Sequence, residues 1–434
     1  MERTATKNEV IASADGLTQT AEKSDVGSST VTASQRAVPE NTVPSPPSNL
    51  KACLQCLGAF FLFFNSWGLV NAFGAYQAFY EKNLLQTHTP SQISWIGSLQ
   101  AFLFLSGGVI AGPLYDRGYL KLLVGLGSFL IVFGMMMTSL CSEYWQIILA
   151  QGLVVGIGNG CLFVPSTAII PPYFTKRRAL AMGMAITGGN IGGVIYSTVF
   201  ERLQPSIGFP WATRVIAFIQ IVTLLTPVFV LEMRYKPTEA RALFDKTAWK
   251  DPRFSIFSCA CLLGYIGLYI PYFYVNSFAL SNNFLGCLSG SDLECRIYTL
   301  TYAADRVGPL NMLLVCFIGS AILAFGWIGV NSTAGTTVFC LLYGAFSGAL
   351  ISLVLTVIST KLCPDLTSLG VRIGMICGIF CSIGILVGSP LGGVLLRDGW
   401  VSLQAFAGSM LIAGAVGILI IRYLTVGFRV RVKT

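Results

Sequence analysis

The chain has 434 residues, of which 54% are apolar and only 11% charged, with 28 Lys and Arg against 19 Asp and Glu for a formal charge of +9. Soluble domains carry roughly a quarter charged residues, so an ordinary soluble protein is excluded. Carboxylates are too sparse within the apolar runs, and histidine too rare (His88 alone), for a catalytic pair or a metal site.

Residues 1–50 are rich in Ser, Thr, Pro and charge and hold no apolar stretch long enough for a signal peptide. They read as a disordered tail, too polar to offset the entropy of ordering. Apolar runs then begin near Ala52, Ile93, Leu120, Trp145, Ala179, Ala212, Phe254, Leu310, Thr336, Ile373 and Val401. Each matches the roughly 20 residues that a helix needs to cross a bilayer. The expected fold is an all-α polytopic membrane protein. Its expected parts are a six-helix half over 51–232, a polar basic linker over 233–253, a second helical half over 254–422 and a short tail over 423–434.

Charge orients the spans. With the first tail inside and the spans alternating, 18 basic residues fall on inside loops and five outside, the first tail excluded. That asymmetry places both termini in the cytosol and makes the basic surplus topological, so no nucleic-acid partner is implied. Cys53 and Cys56 form a CxxC in the first span without further ligands, and Cys287 and Cys295 are spaced to pair in a non-cytosolic loop. Lys176, Arg177 and Arg178 stand before a span studded with Gly183, Gly188, Gly189, Gly192 and Gly193. The fourth span carries Gly156 and Gly160. Glycine at this spacing lets helices approach closely, so spans four and five are expected to pack on one another.

A weak duplication is visible. Asp116 in GPLYDRGYLKLL and Asp305 in AADRVGPLNMLL lie 189 positions apart, and Gly156 and Gly160 precede Gly344 and Gly348 by 188. Repeated halves with a site between them are common in transporters.

These residues carry a resemblance. GPLYDRGYLK resembles the Gly-x-x-x-Asp-Arg-x-Gly signature between spans two and three of the major facilitator superfamily. YFTKRRALAMGMAITGGNIGG resembles the span-five signature of its monocarboxylate-carrier-like branch, in its fungal form. FFNSWGLVNAFGAYQAFYE, SQISWIGSLQ, GLYIPYFYV and LGVRIGMICG are similar to the same branch. The resemblance implies twelve spans and alternating access, with Asp116 and Arg117, echoed by Asp305 and Arg306, locking the cytosolic face. Arg178 and Arg372, at the starts of spans five and eleven, are the candidate gate partners.

The pattern is broken in three places. The acidic residue that usually opens span one is missing. Asn71 stands where animal monocarboxylate carriers hold a lysine, so their lysine-based coupling does not transfer. Span eight is abnormal: Lys51 to Asp116 covers 65 residues but Arg253 to Asp305 only 52, and the expected crossing segment, 282–304, holds Asp292, Glu294 and Arg296. Each charge costs roughly 2.5–3.5 kcal/mol at the midplane. Either Asp292 and Arg296 pair within a wet cavity, as the resemblance implies, or the span is truncated.

Polar groups placed to line a midplane cavity are Asn65, Asn71, Gln100, Asn159, Thr187, Asn190, Tyr269, Tyr272 and Asn276. Together they suit an amphipathic organic solute, with aromatic rings to stack and amides to orient it. The expected function is secondary transport of a small organic acid or related metabolite across the plasma or vacuolar membrane, with or without proton symport. No enzyme activity and no cofactor are implied. The alternatives are a membrane sensor of the same fold or a non-functional isoform with a damaged span eight. Asn331, in Asn331-Ser332-Thr333, is an external glycosylation candidate.

Overall fold

The computed structural model describes residues 49–174, 178–234, 245, 247–282, 308–363 and 366–426, less the side chains at 49, 178–179, 361, 366–369 and 426. Every regular element among them is helical. The membrane-length segments are α1 (Leu50–Leu84), α2 (Pro90–Asp116), α3 (Leu120–Thr138) and α4 (Tyr144–Ala168), then a long trace over Arg178–Val230. There follow α7 (Pro252–Ser281), α8 (Pro309–Gly329), α9 (Thr333–Thr360), α10 (Gly370–Asp398) and α11 (Trp400–Thr425).

The apolar runs at Ala179 and Ala212 form that single long trace. It bends at Gly208, whose φ of +80° lies in the region only glycine enters without strain, between Pro205 and Pro210. We call the arm 178–207 α5 and the arm 209–230 α6. Helix starts follow local chemistry elsewhere. Thr89 and Gln92 form a capping box ahead of Pro90. Asp251 accepts from the Arg253 amide ahead of Pro252, and Ser332 accepts from the Gly335 amide.

The outward surface is what a bilayer requires. Ile110, Phe129, Val222, Phe229, Ile322 and Val401 are each more than half exposed, a distribution that water would penalise and hydrocarbon does not. The interior holds aromatic clusters, such as Tyr76 stacked on Phe200 at 4.0 Å and Phe79 on Phe209 at 5.2 Å, which tie α1 to α5 and α6.

The glycines correct one expectation: spans four and five do not pack together through them. A Cβ on Gly188 or Gly192 of α5 would sit 2.2 Å from the carbonyl oxygen of Phe60 or Phe64 on α1. Gly160 of α4 instead meets Gly107 of α2, and Gly158 meets Gly127 and Ile131 of α3. Glycine spacing marks a helix that something approaches closely, but does not say which helix arrives. The same device recurs later in the chain, where a Cβ on Gly388 of α10 would meet the Ile266 carbonyl oxygen of α7 at 2.2 Å, and one on Gly384 that of Leu262 at 2.8 Å.

The bundle has two unlike ends. Arg117, Lys121, Arg234, Lys250, Arg253, Arg372 and Arg422 cluster at one, the basic end, where Arg422 Nε donates to Asn311 at 2.6 Å. Phe278, Trp327 and Trp400 meet at the other, the distal end, with ring centroids 5.2–5.3 Å apart. Thus α7 ends distally while α8 begins at the basic end, and the expected span eight, with Asp292 and Arg296, lies outside the described residues. So do Cys287, Cys295, Asp305, Arg306 and the first tail.

Candidate functional site between the helices

In the interior of the first helices, Trp67 of α1 meets Phe104 of α2 at 5.0 Å, and Phe104 meets Phe163 of α4 at 5.1 Å. One helical turn distal from each ring stands an amide: Asn71, Gln100 and Asn159. Because α2 and α4 run opposite to α1, these four-residue steps lead all three amides to one level. Each is at most 4% exposed. None of their six side-chain polar atoms hydrogen-bonds to a protein atom. A buried amide without a partner costs about 1–3 kcal/mol per group, so three at one level is an expensive arrangement for packing alone.

The facing helix, α7, carries tyrosines. Tyr265, Tyr269 and Tyr272 succeed one another at 6.3 and 5.5 Å, and Tyr272 reaches Tyr343 of α9 at 6.1 Å. Here the polar tips are satisfied: the Tyr272 hydroxyl pairs with Ser347 Oγ at 3.0 Å, and Tyr343 donates to the Leu268 carbonyl at 2.8 Å. α1 and α7 run the same way and touch where a Cβ on Gly74 would lie 2.6 Å from the Tyr272 carbonyl oxygen. Asn71 and Tyr269, three residues earlier on each, therefore share a height.

Distally, this seam is closed by polar bonds. Ser277 of α7 donates to Glu81 of α1 at 2.7 Å, and Gln77 donates to the same carboxylate at 2.9 Å. Asn276 donates to Glu201 of α5 at 3.3 Å. Ser91 of α2 donates to the Pro390 carbonyl of α10 at 2.8 Å, and Tyr274 donates to the Ser389 carbonyl at 3.0 Å. Toward the basic end the lining changes to an apolar cavity of about 140 Å³ between α2, α4, α9 and α10, walled by Val109, Phe163, Leu355, Val371, Ile373 and Cys377 among others.

The remaining sequence candidates separate clearly. Asn65 belongs to a helix–helix network, accepting from Tyr196 at 2.7 Å and donating to Thr223 at 3.0 Å. Thr187 donates to the Gly183 carbonyl, and Asn190 is half-buried on α5. At the basic end Asp116 is buried and Arg117 exposed, while the side chain of Arg178 lies outside the described residues. Arg372 is bound by Asp245 of the linker, whose Oδ2 accepts from Nε and Nη2, each at 3.0 Å. Hydrogen bonding from the Thr247 hydroxyl, then from its amide and from Arg372, holds the Asp245 carboxyl below its usual range despite some desolvation. Asn331 is exposed at the distal end, just ahead of α9.

Sequence reasoning missed Glu81, Glu201, Asp245, Tyr274 and Ser277. Glu81 carried a signal, an acid inside a run long enough to span. Asp245 carried none, because a linker aspartate among cations reads as ordinary surface. Of the CxxC cysteines, Cys53 is exposed and Cys56 donates to the Ala181 carbonyl. No group of three or more metal-ligating side chains occurs among the described residues.

The profile of the Major Facilitator Superfamily matches residues 55–368. The chain is 41% identical over 380 residues to the MFS-type transporter dbaD of Emericella nidulans, covering 85% of each chain. It is 33% identical over 384 residues to the aspyridones efflux protein apdF of the same organism, covering 86% of this chain and 78% of that one. Among solved structures, the nucleoside transporter NupG matches with a TM-score of 0.66 over 86% of this chain and all of its own, at 12% identity, a likeness of fold alone.

Proposed function

Because the chain belongs to the major facilitator superfamily and is therefore a multi-pass membrane transporter rather than an enzyme, we propose that it exports an amphipathic organic metabolite bearing an aromatic ring and hydrogen-bonding groups. The observation that carries this reading is the level of unpartnered amides Asn71, Gln100 and Asn159, at the height of Tyr269 in the tyrosine row of α7. A solute seated there would supply the missing hydrogen bonds and stack on the rings. The outward direction is supported by a relative named as an efflux protein. We further propose that both termini are cytosolic, so that the basic end faces the cytosol of a plasma or vacuolar membrane. The halves are assigned to 51–232 and 254–422, in keeping with the repeated glycine contacts of α5 on α1 and α10 on α7.

A narrower reading is also supported by sequence: a monocarboxylate-like acid carried with a proton. It rests on the resemblance to the monocarboxylate-carrier-like branch. Asn71 weighs against it, because an amide neither titrates nor carries the positive charge that would pair with a carboxylate.

The test is export from cells that lack their own carriers, using a panel of aromatic phenols and amides alongside simple monocarboxylates, with and without a pH gradient. Aromatic amphiphiles are expected to leave faster than from control cells, and Gln100→Leu at normal surface level to lose at least tenfold of that flux. Export of monocarboxylates alone would replace this reading with the narrower one. No export of any compound at normal expression would overturn both.

A further inference from the structure

The linker between α6 and α7 is fastened at both ends, each to a different set of helices. Its first residues belong to the early helices. Gln55 donates to the Val230 carbonyl at 2.7 Å and accepts from the Glu232 amide at 3.1 Å. Tyr173 donates to the Glu232 carbonyl at 2.9 Å, and Arg234 donates to the Pro172 carbonyl at 2.6 Å. Its last residues belong to α7 and α10. The Asp245 amide points at Met375 Sδ at 3.4 Å, Ala248 is fully buried, and the Trp249 ring lies 5.7 Å from both Phe254 and Phe380. Residues 235–244 alone join the two anchors, eleven residue steps with a reach of at most roughly 40 Å.

The second anchor closes on Arg372, and Arg372 has an unusual position. It is only 6% exposed. Its guanidinium lies over the Phe254 ring at 5.8 Å, donates to the Leu362 carbonyl and forms the forked pair with Asp245. The neighbours of Arg372 on α10, Val371, Ile373 and Gly374, are turned the other way and wall the cavity. The α-helical piece that carries them, Leu366–Met375, ends in a π-helical turn over Ile376–Cys381. π turns are among the places where helices kink, so the short piece ahead of this one has a natural point about which to move.

We propose that Asp245 and Arg372 are a positioning pair for transport: the linker grips the back of the α10 segment whose front walls the cavity, and this segment leaves α2 and α4 only when the pair parts. A buried guanidinium deprived of its carboxylate is strongly destabilised, so the bond favours a single placement of the wall. The inference rests on the transporter identity of the chain and on alternating access, but on no particular solute.

Cys377 supplies a readout that needs no substrate, since it lines the cavity and is 6% exposed. The full-length protein in detergent is treated with N-ethylmaleimide, and alkylation of the Cys377 peptide is followed by mass spectrometry. Cys316, fully buried in α8, serves as the control for general loosening. Asp245→Asn is expected to raise the Cys377 rate at least threefold while Cys316 stays protected. The reversed pair, Asp245→Arg with Arg372→Asp, is expected to bring the rate most of the way back. Arg372→Ala strips a larger buried network and tests folding as much as positioning, so the carboxylate variant decides. An unchanged Cys377 rate in Asp245→Asn, or parallel rises at Cys377 and Cys316, would overturn the proposal. So would a reversed pair as reactive as the single variant. None of these outcomes bears on which metabolite is exported, so they are separable from a failed export assay.

Discussion

The distal and basic ends of this bundle are built on opposite principles. The distal seam is held by short polar bonds and by glycines, with backbone pressed against backbone where Gly74 meets Tyr272 and Gly393 meets Ser91. A polar-edged cavity of about 290 Å³ lined by Glu81, Lys82, Ser277 and Ser281 opens at the ends of α1 and α7 beside the Glu81–Ser277 bond. Toward the basic end α2 and α10, which touch distally at Ser91 and Pro390, are separated by an apolar cavity, and the linker secures one of its walls from behind. Polar bonds in a low-dielectric interior have sharp geometric optima, whereas apolar walls part without leaving unpaired groups. The contrast fits the proposed transport cycle, in which one seam holds by polar bonds while an apolar wall yields.

The largest test of this contrast is a wedge. A Cβ at Gly393 would lie 2.5 Å from both Ser91 Cα and the Tyr274 hydroxyl, whereas one at Gly374 on the cavity side has only Val109 near it, at 3.9 Å. Gly393→Leu is expected to hold the distal seam open and abolish export. It should also make a cysteine placed at Ser277 react with impermeant maleimide at least tenfold faster. Gly374→Ala is expected to leave both readings near wild type. Equal behaviour of the two variants would erase the distinction between the ends. A gentler break is Ser277→Ala, which removes one donor from the Glu81 carboxylate. A hydrogen bond contributes a net of about 0.5–1.5 kcal/mol, so the closed-to-open ratio should fall by roughly two- to tenfold, read by the same reagent at a cysteine placed at Ser91.

The interior offers a second contrast, between unsatisfied amides and satisfied tyrosines. Asn159→Leu removes a buried amide that has no protein partner and is expected to raise thermal stability by about 1–2 kcal/mol while export falls. That is the signature of a group retained for function at a cost in stability. Tyr343→Phe cuts the bond to the Leu268 carbonyl and is expected to lower stability by about 1 kcal/mol with little change in export. If Asn159→Leu destabilises the protein instead, the amide is a packing element and the solute site lies elsewhere.

The legibility of these features follows their physical range. Membrane crossing is written in runs of apolar residues, so every described span was readable from composition and length. The bend at Gly208 was present as Pro205, Gly208 and Pro210 between two runs read as separate spans, because nothing local says that a helix resumes there without a loop. Contacts between helices were the least legible. Asn65 and Asn71 are the same residue type on the same helix. Yet Asn65 is consumed by Tyr196 and Thr223 and Asn71 is not, and only the arrival of α5 and α6 distinguishes them. Asp245 lay further out of reach, since its significance depends on an arginine 127 positions away.

The smallest expected effect is the absence of one, and it follows from the sign of the Asp245 shift. Its carboxyl is held below the ordinary aspartate value, first by the Thr247 hydroxyl and then by the Thr247 amide and Arg372. A group depressed in the folded protein contributes its full stabilisation above the unfolded value of about 3.9. The contribution is lost only as pH falls through the lowered folded value. From pH 7.5 to pH 5 the carboxylate therefore stays ionised, and the grip on α10 is constant. The ratio of Cys377 alkylation between Asp245→Asn and the parent protein cancels the titration of the thiol itself, and it is expected to be flat across that interval. If the ratio drifts toward one by pH 5, the parent has lost its grip as the variant already has, and Asp245 is not held low. The wall at the basic end would then respond directly to the proton on its own side of the membrane.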